Sequence, residues 1–170
     1  MGREELTTGD AKEISRELEA QSDRGAAILA AAFIDVHLAD VLMYVFRANL
    51  SKDDDKALFD DANGPLASFS SRIKMAHALG VIGDKTRADL NLIRKVRNEF
   101  AHKIKVRSFN EPPISDICRS LQLADISLFG GTPPTEPRAR FIQAAILAIH
   151  FMSKEVVEGS PLGQRPTKCP

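Results

Sequence analysis

The sequence predicts an all-α fold of about six helices, arranged as an irregular antiparallel helical bundle. Apolar residues make up 44% of the 170 residues, enough for a globular core. Ala, Leu and Ile are frequent, and Trp is absent from the chain. This composition suits packed helices better than sheets. No segment alternates apolar and polar residues over the length of a strand, and the connections between helical segments are short, as in bundles.

Two helices are predicted in the first third of the chain. The first covers Ala11 to Ala20, and the second, the longest, covers Arg24 to Ala48. Ser22 or Asp23 suits the N-cap of the second helix because a short oxygen-bearing side chain can accept a hydrogen bond from its first turn. Asn49 to Pro65 is polar and ends in Asn-Gly-Pro, so we predict a connection there.

The middle of the chain predicts a pair of helices joined by a short turn. The third helix is predicted over Ser68 to Leu79, with Gly80 and Gly83 closing it. The fourth helix is predicted over Lys85 to Ile104, with Asp84 as its N-cap.

The last third of the chain contains two more predicted helices and a tail. The fifth helix covers Ile114 to Ala124, and the sixth covers Arg138 to Glu158, after a Gly- and Pro-rich loop. We therefore predict a single all-α domain over residues 1–158. Residues 159–170 are polar and rich in Pro and Gly, which predicts a disordered C-terminal tail.

The charge balance limits the classes of partner. The chain has 23 basic and 23 acidic residues, so it lacks the overall positive field that is typical of DNA-binding proteins. The longest apolar stretch, residues 25–46, is interrupted by Asp35, His37 and Asp40. This predicts a buried helix rather than a membrane span. The N-terminus has no apolar run after its first charges, so no signal peptide is predicted and the cytoplasm is the expected compartment.

No metal site or cofactor site is predicted. Cys118 and Cys169 have no partner at a metal-ligand spacing. His37, His77 and His150 lie on different predicted helices and are interpreted as structural. No Gly-rich segment continues into the Gly-Lys-Ser/Thr of a phosphate-binding loop.

Arg97 lies within the predicted apolar face of the fourth helix. At helical spacing this face contains Leu90, Ile93, Phe100, Ala101 and Ile104. A buried guanidinium needs a carboxylate, an interface or a solvent-filled cleft, because an unpaired buried charge is strongly unfavourable. Arg97 is therefore a candidate structural or interface residue.

Asp35 presents the same conflict in the second helix. Its predicted apolar face contains Ile28, Ala31, Ala32, Leu38, Ala39, Leu42 and Phe46. We expect Asp35 to pair with a basic residue of another helix, either Arg97 or Arg72, and the sequence leaves both alternatives open.

Basic residues are concentrated around the end of the fourth helix. They are Arg94, Lys95, Lys103, Lys105 and Arg107. This strip is a candidate nucleic-acid contact, since lysine and arginine side chains neutralise phosphates. It supports a third interpretation of the chain as a direct DNA binder.

Two family resemblances involve the same helix. Arg97-Asn98, followed by His102, resembles the Arg–His signature of the HEPN superfamily, whose members are small helical bundles, often dimeric. Many are metal-independent ribonucleases. The resemblance implies that Arg97 would hold the scissile phosphate, that His102 would act as general acid or base, and that Asn98 would orient His102.

The second resemblance covers about residues 20 to 120. The runs Asp23-Arg24-Gly25-Ala26-Ala27, Gly64-Pro65-Leu66, Arg72-Ile73-Lys74, Ala78-Leu79-Gly80 and Asp89-Leu90-Asn91 precede Arg97-Asn98 and Phe100-Ala101-His102. Together, in this order, they resemble the mannitol operon repressor (MtlR-like) family. The resemblance implies a cytoplasmic transcriptional regulator of sugar-alcohol uptake genes.

The preferred interpretation is a non-enzymatic repressor that forms a homodimer and works through an unidentified regulatory protein partner rather than by conventional DNA binding. The alternative is a HEPN-type metal-independent endoribonuclease, or an inactive relative of one, with RNA as its substrate. Neither interpretation requires a cofactor.

Overall fold

The computed structural model of the chain describes residues 8–46, 51–127 and 131–157. These ranges contain seven α-helices, one short 3-10 helix and no strand. The α-helices are α1 Thr8–Ala20, α2 Asp23–Phe46, α3 Lys52–Phe59, α4 Phe69–Ala78, α5 Asp84–His102, α6 Ile114–Arg119 and α7 Pro137–Val157, and the 3-10 helix is Leu123–Asp125. The all-α prediction is confirmed. The predicted disordered tail, residues 159–170, lies outside the described residues.

The helix α3 corrects the prediction of a connection between the second and third predicted helices. It begins with a capping box in which the Ser51 hydroxyl accepts from the Asp54 N–H at 3.2 Å and the Asp54 carboxylate accepts from the Ser51 N–H at 3.2 Å. Asp53 and Asp55 add negative charge to the first turn, where the helix dipole favours it. Phe59 is buried at the other end of α3, so this short polar helix is attached to the core.

Two predicted caps have different outcomes. Ser22 caps α2, because its hydroxyl accepts from the Gly25 N–H at 3.1 Å. Asp84 does not cap α5: the N-cap is Gly83, which makes no side-chain cap. Asp84 is instead the first residue of α5, and its carboxylate lies 2.8 Å from His77 Nε2, near the end of α4. The carboxylate that was expected to cap the helix therefore connects two helices.

The central helix of the fold is α2. It packs against α7, α5, α4 and α1. Its buried residues are Ala26, Ala27, Ala30, Ala31, Ile34, Leu38, Ala39, Val41 and Leu42. The predicted face was partly wrong, since Ile28 and Ala32 are exposed. A helix that is apolar on all sides has no periodicity from which its buried face can be read.

The apolar character of α2 has a second consequence. The most apolar stretch of 18 residues within α2 has a mean hydropathy of 1.9, and 50% of that stretch is buried inside the protein. By length and composition alone, α2 could cross a membrane, but the core helix of a globular protein has the same properties. Four residues of this apolar helix, Ile28, Ala32, Val36 and Tyr44, are exposed.

Asp89 attaches α5 to the turn that follows α6. It has no exposed surface, and its carboxylate accepts from the backbone N–H groups of Gln122 at 3.1 Å and Leu123 at 2.7 Å. Burial raises the pKa of Asp89, although the two hydrogen bonds oppose that shift. The carboxylate thus satisfies the backbone donors at the start of the 3-10 helix.

Arg140 is the buried cation of the same region. It lies on α7 with 8% of its surface exposed. Its guanidinium donates to the carbonyl oxygens of Cys118 at 3.1 Å, Leu121 at 2.7 Å, Arg119 at 3.3 Å and Pro134 at 3.2 Å. One side chain therefore satisfies the end of α6 and fixes it against α7.

Candidate interaction surfaces

The Asp35 carboxylate pairs with Arg72, one of the two alternatives that the sequence left open. Arg72 Nη1 lies 2.8 Å from Asp35 Oδ1. The same guanidinium donates to the carbonyl oxygens of Leu66 at 2.8 Å and Phe59 at 3.2 Å, and lies 6.0 Å from the centroid of the Phe59 ring. Arg72 therefore joins α4 to α2 and to the end of α3, which is a structural role.

The substitution Asp35→Asn is expected to lower the free energy of unfolding by about 1–2 kcal/mol, since the pair is only partly exposed. The exposed fractions of the two side chains are 12% for Arg72 and 29% for Asp35. Urea denaturation followed by circular dichroism measures the effect. Asp116→Asn is the matched control, because the Asp116–Arg119 pair is 68% and 60% exposed and should contribute almost nothing. Equal stability of both variants would contradict a role for the Asp35–Arg72 pair.

Arg97, Asn98 and His102 all lie in the last turns of α5. Arg97 is half-buried beside the buried face and makes no ion pair or hydrogen bond with the described residues. His102 is the last residue of α5 and is exposed. Five positions separate the two side chains, which places them roughly 140° apart around a regular helix. A ribonuclease site that uses both residues stays a prediction.

The buried face of α5 differs from the predicted one. It consists of Thr86, Asp89, Leu90, Ile93, Val96 and Phe100. Ala101 is exposed, and Ile104 lies beyond the helix end with 87% of its surface exposed. The helix ends two residues earlier than predicted, so the apolar spacing that included Ile104 does not continue.

The basic strip falls into two parts. Arg94 and Lys95 lie on α5, whereas Lys103, Lys105 and Arg107 lie in the segment that follows the helix. Lys103 forms an ion pair with Glu99 at 2.6 Å, one turn back along the helix. We refer to residues 103–107 as the 103–107 segment. Its three basic residues are all exposed.

Arg24 holds the backbone of the 103–107 segment. Its Nη2 donates to the carbonyl oxygens of Val106 at 2.9 Å, Lys103 at 3.2 Å and Ile104 at 3.4 Å. The Val106 side chain packs against the core, while Ile104 points into solvent. The segment is therefore anchored by its carbonyl groups and by Val106, and presents one aliphatic and three basic side chains outward.

A groove of about 1030 Å³ lies between α1, α7 and the loops that precede α7. Its apolar wall includes Ile142, Ile146 and Phe109, and its polar groups include Glu19 and Arg138. The Arg138 guanidinium is already occupied by Asp23 and by carbonyl oxygens at the end of α1. The guanidinium of Arg138 therefore serves the fold, and it does not define a ligand.

The described part of the chain contains no cluster of three or more potential metal ligands. His77 contacts Asp84, and His37 Nε2 lies 2.9 Å from the Ser153 hydroxyl. These contacts join helices, in agreement with a structural role for both histidines.

Comparison with known proteins shows the family to which the chain belongs. A family model described as "Mannitol repressor" matches residues 12–145. The chain belongs to the mannitol repressor family. Its fold is also similar to a chain in the X-ray structure of the MtlR–HPr complex from Escherichia coli, with a TM-score of 0.68 and 21% sequence identity. The match covers 84% of this chain and 98% of that chain. No curated protein matches the sequence.

In this member of the mannitol repressor family, the sequence did not reveal two features of the 103–107 segment. The first is its anchoring by Arg24, which stands out in the sequence only as part of a family-like run of residues. The second is the exposure of Ile104, which belongs to a predicted buried face. The basic residues on both sides of Ile104 gave no usable signal, because Val96 lies between Lys95 and Arg97 in the same helix and is buried.

Proposed function

We propose that this chain is a cytoplasmic, non-enzymatic transcriptional regulator of sugar-alcohol (mannitol) uptake genes that acts through contact with a protein partner. Membership of the mannitol repressor family over residues 12–145 carries this proposal. The neutral overall charge argues in the same direction, since a conventional DNA-binding repressor depends on a strongly positive surface.

HPr is the first candidate for the partner. The chain shares its fold with a protein in the structure of the MtlR–HPr complex. The two chains are 21% identical, so the likeness concerns the fold, and HPr is proposed as the partner because that fold is found in a complex with it.

The 103–107 segment is the surface that we assign to this contact. Exposed aliphatic residues at the centre of a polar rim are typical anchors of protein interfaces. Ile104 has 87% of its surface exposed and lies between Lys103 and Lys105. Because Arg24 fixes the backbone through three carbonyl groups, little order has to be gained on binding.

The exposed Ile104 also favours a protein over a nucleic acid at this surface. A phosphate backbone offers no apolar pocket for Ile104. The charge of Lys103 is also partly neutralised by its ion pair with Glu99. On a protein partner, the 103–107 segment would contact an apolar pocket surrounded by acidic or polar groups.

Isothermal titration calorimetry with purified HPr from Escherichia coli tests the proposal. We expect binding by the wild-type protein and at least about tenfold weaker binding by Ile104→Asp, because the anchor is lost and a negative charge enters its pocket. Val36→Asp is the matched control, since Val36 is an exposed aliphatic residue on α2, away from the 103–107 segment. That variant should bind HPr like the wild type.

Two results would contradict the proposal. No heat of binding at about 100 µM HPr would exclude a functional affinity. Cleavage of a mixed RNA pool in EDTA by the wild-type protein, lost in His102→Ala, would instead establish the ribonuclease alternative with Arg97 and Asn98 as its other residues. A regulator should leave the RNA intact and should bind HPr equally well after His102→Ala.

A homodimer also belongs to the proposed function. The family resemblance implies it, and the outward surface of α2 gives it a physical basis.

A further inference from the structure

One side of α2 is apolar and only partly covered by the described residues: Leu29, Phe33 and Met43 pack against the edge of the core, whereas Ala32 and Val36 are exposed. We define the outer face of α2 as Leu29, Ala32, Phe33, Val36, Asp40 and Met43, which share one side of the helix at helical spacing. Val36, at its centre, is 63% exposed. Ile28 and Tyr44 flank the face and are 41% and 40% exposed. An apolar surface of this length on a helix indicates an interaction site.

The spacing on the outer face is symmetric about Val36. Leu29 and Met43 lie seven positions before and after it, which is the heptad spacing of helices that pack against each other. Ala32 and Asp40 lie four positions before and after Val36, and Ile28 and Tyr44 lie eight. A twofold axis through Val36 would therefore place Leu29 opposite Met43 and Ile28 opposite Tyr44 of the second copy, whereas Ala32 would lie opposite Asp40 and Phe33 has no exposed counterpart, since Ala39 is buried. Self-complementarity of this kind is what an isologous interface requires.

We infer that a second copy of this chain covers the outer face of α2, with the two α2 helices antiparallel and Val36 at the twofold axis. In this arrangement Leu29 packs against Met43 of the second copy, and Val36 packs against its own equivalent. Ala32, the smallest residue of the face, lies opposite Asp40 of the second copy and leaves room for its carboxylate.

The charges favour a second copy over another kind of partner. Asp40 is the only ionisable residue among the six that define the outer face. Antiparallel pairing places the two Asp40 residues on opposite sides of the axis, about 12 Å apart along the helix, so like charges do not meet. A partner recognised through charge would find no matching charge here, whereas the 103–107 segment offers three basic side chains to such a partner.

The face is small compared with a standard protein interface. The 24 residues of α2 span about 36 Å, and a helix is about 10 Å wide. The face can therefore bury roughly 400 Å² on each copy, about half of a standard protein interface. A dimer of this size should dissociate with dilution, in the micromolar range.

Sedimentation velocity of the full chain, from about 1 to 200 µM, tests the inference. We expect the wild type to dimerise with rising concentration and Val36→Asp to stay monomeric with an unchanged far-UV circular dichroism spectrum. Ile104→Asp is the matched control, since it adds the same charge at an exposed aliphatic residue elsewhere, and it should dimerise like the wild type. HPr binding by Val36→Asp should persist, so failure of the dimer and failure of the proposed partner are distinguishable.

Disulfide trapping tests the register independently of stability. In a Cys169→Ser background, Val36→Cys should form a disulfide between two copies on mild oxidation. Leu29→Cys alone should not, whereas Leu29→Cys combined with Met43→Cys should. Cys118 is buried and should not take part.

Three results would overturn the inference. They are a wild type that is monomeric over the whole range, a Val36→Asp variant that dimerises like the wild type, and efficient trapping by Leu29→Cys alone. Monomeric wild type that floats with neutral phosphatidylcholine vesicles would assign the outer face of α2 to a membrane instead.

Discussion

Replacing Arg140 with alanine is expected to lower the free energy of unfolding by about 3–5 kcal/mol. Arg140 is 8% exposed, and its guanidinium donates to four carbonyl groups. Those carbonyl groups would lose their donors in a site that water reaches poorly. Its ion pair with Asp125 adds little, because Asp125 is 63% exposed. A domain of this size has about 5–15 kcal/mol of stability in total, so the variant should be close to unfolding.

Urea denaturation at two wavelengths, or differential scanning calorimetry, measures this loss. Arg140→Lys separates charge from geometry: it keeps the positive charge but has no planar fork, so about half of the loss should remain. Arg119→Ala is the matched control, since Arg119 is 60% exposed and its ion pair with Asp116 is a surface one. If Arg140→Ala were as stable as Arg119→Ala, the carbonyl cluster would have no energetic importance.

Arg138→Ala should have the second-largest effect, about 2–3 kcal/mol. Arg138 forms an ion pair with Asp23 and donates to the carbonyl oxygens of Gln21 at 2.7 Å, Glu19 at 3.0 Å and Leu18 at 3.1 Å. It thus holds the end of α1 against α7 and the start of α2. The side chain is 30% exposed, which makes the loss smaller than for Arg140.

The loss of Arg138 should also be local. Hydrogen exchange should become faster in the amides of α1, while the amides of α5, a helix to which Arg138 donates none of these hydrogen bonds, keep their protection. Arg16→Ala is the control, since Arg16 is an exposed residue of α1. Uniformly faster exchange over the whole chain would contradict the assignment of Arg138 to α1.

The helices could be predicted from the sequence wherever apolar periodicity and helix ends agreed. The predicted positions of α4, α5 and α7 are close to the observed ones, because Gly80 follows the end of α4, Gly83 precedes the start of α5 and Pro137 begins α7. The helix α3 was missed because five of its eight residues are charged and only Phe59 is buried. The capping box of Ser51 and Asp54 was the signal that could have revealed it.

Faces were harder to predict than helices. In α2 the apolar residues occupy all sides, so the periodicity places Ile28 in the core although it is exposed. In α5 the predicted face includes Ile104, because no residue in the sequence marks the end of the helix at His102. The periodicity of apolar residues identifies the buried face of a helix only when polar residues occupy the opposite face.

The long-range contacts of the arginines were the least predictable part. Arg72 was one of two candidates for Asp35, and the structure brings those two residues together across 37 positions of sequence. Nothing in the sequence singles out Arg138 or Arg140, since most of their acceptors are backbone carbonyls. Any residue can supply a carbonyl, so only the arrangement of the loops determines which ones converge.

The packing of α2 against α7 has a consequence for synthesis of the chain. About ninety residues separate the end of α2 from the start of α7, so at about 5–20 residues per second α2 leaves the ribosome several seconds to some tens of seconds before α7 is complete. During that interval a 24-residue apolar helix has no C-terminal helix to cover it. The nascent chain should therefore be a substrate for chaperones that bind apolar segments, and truncations that remove α7 should aggregate rather than fold.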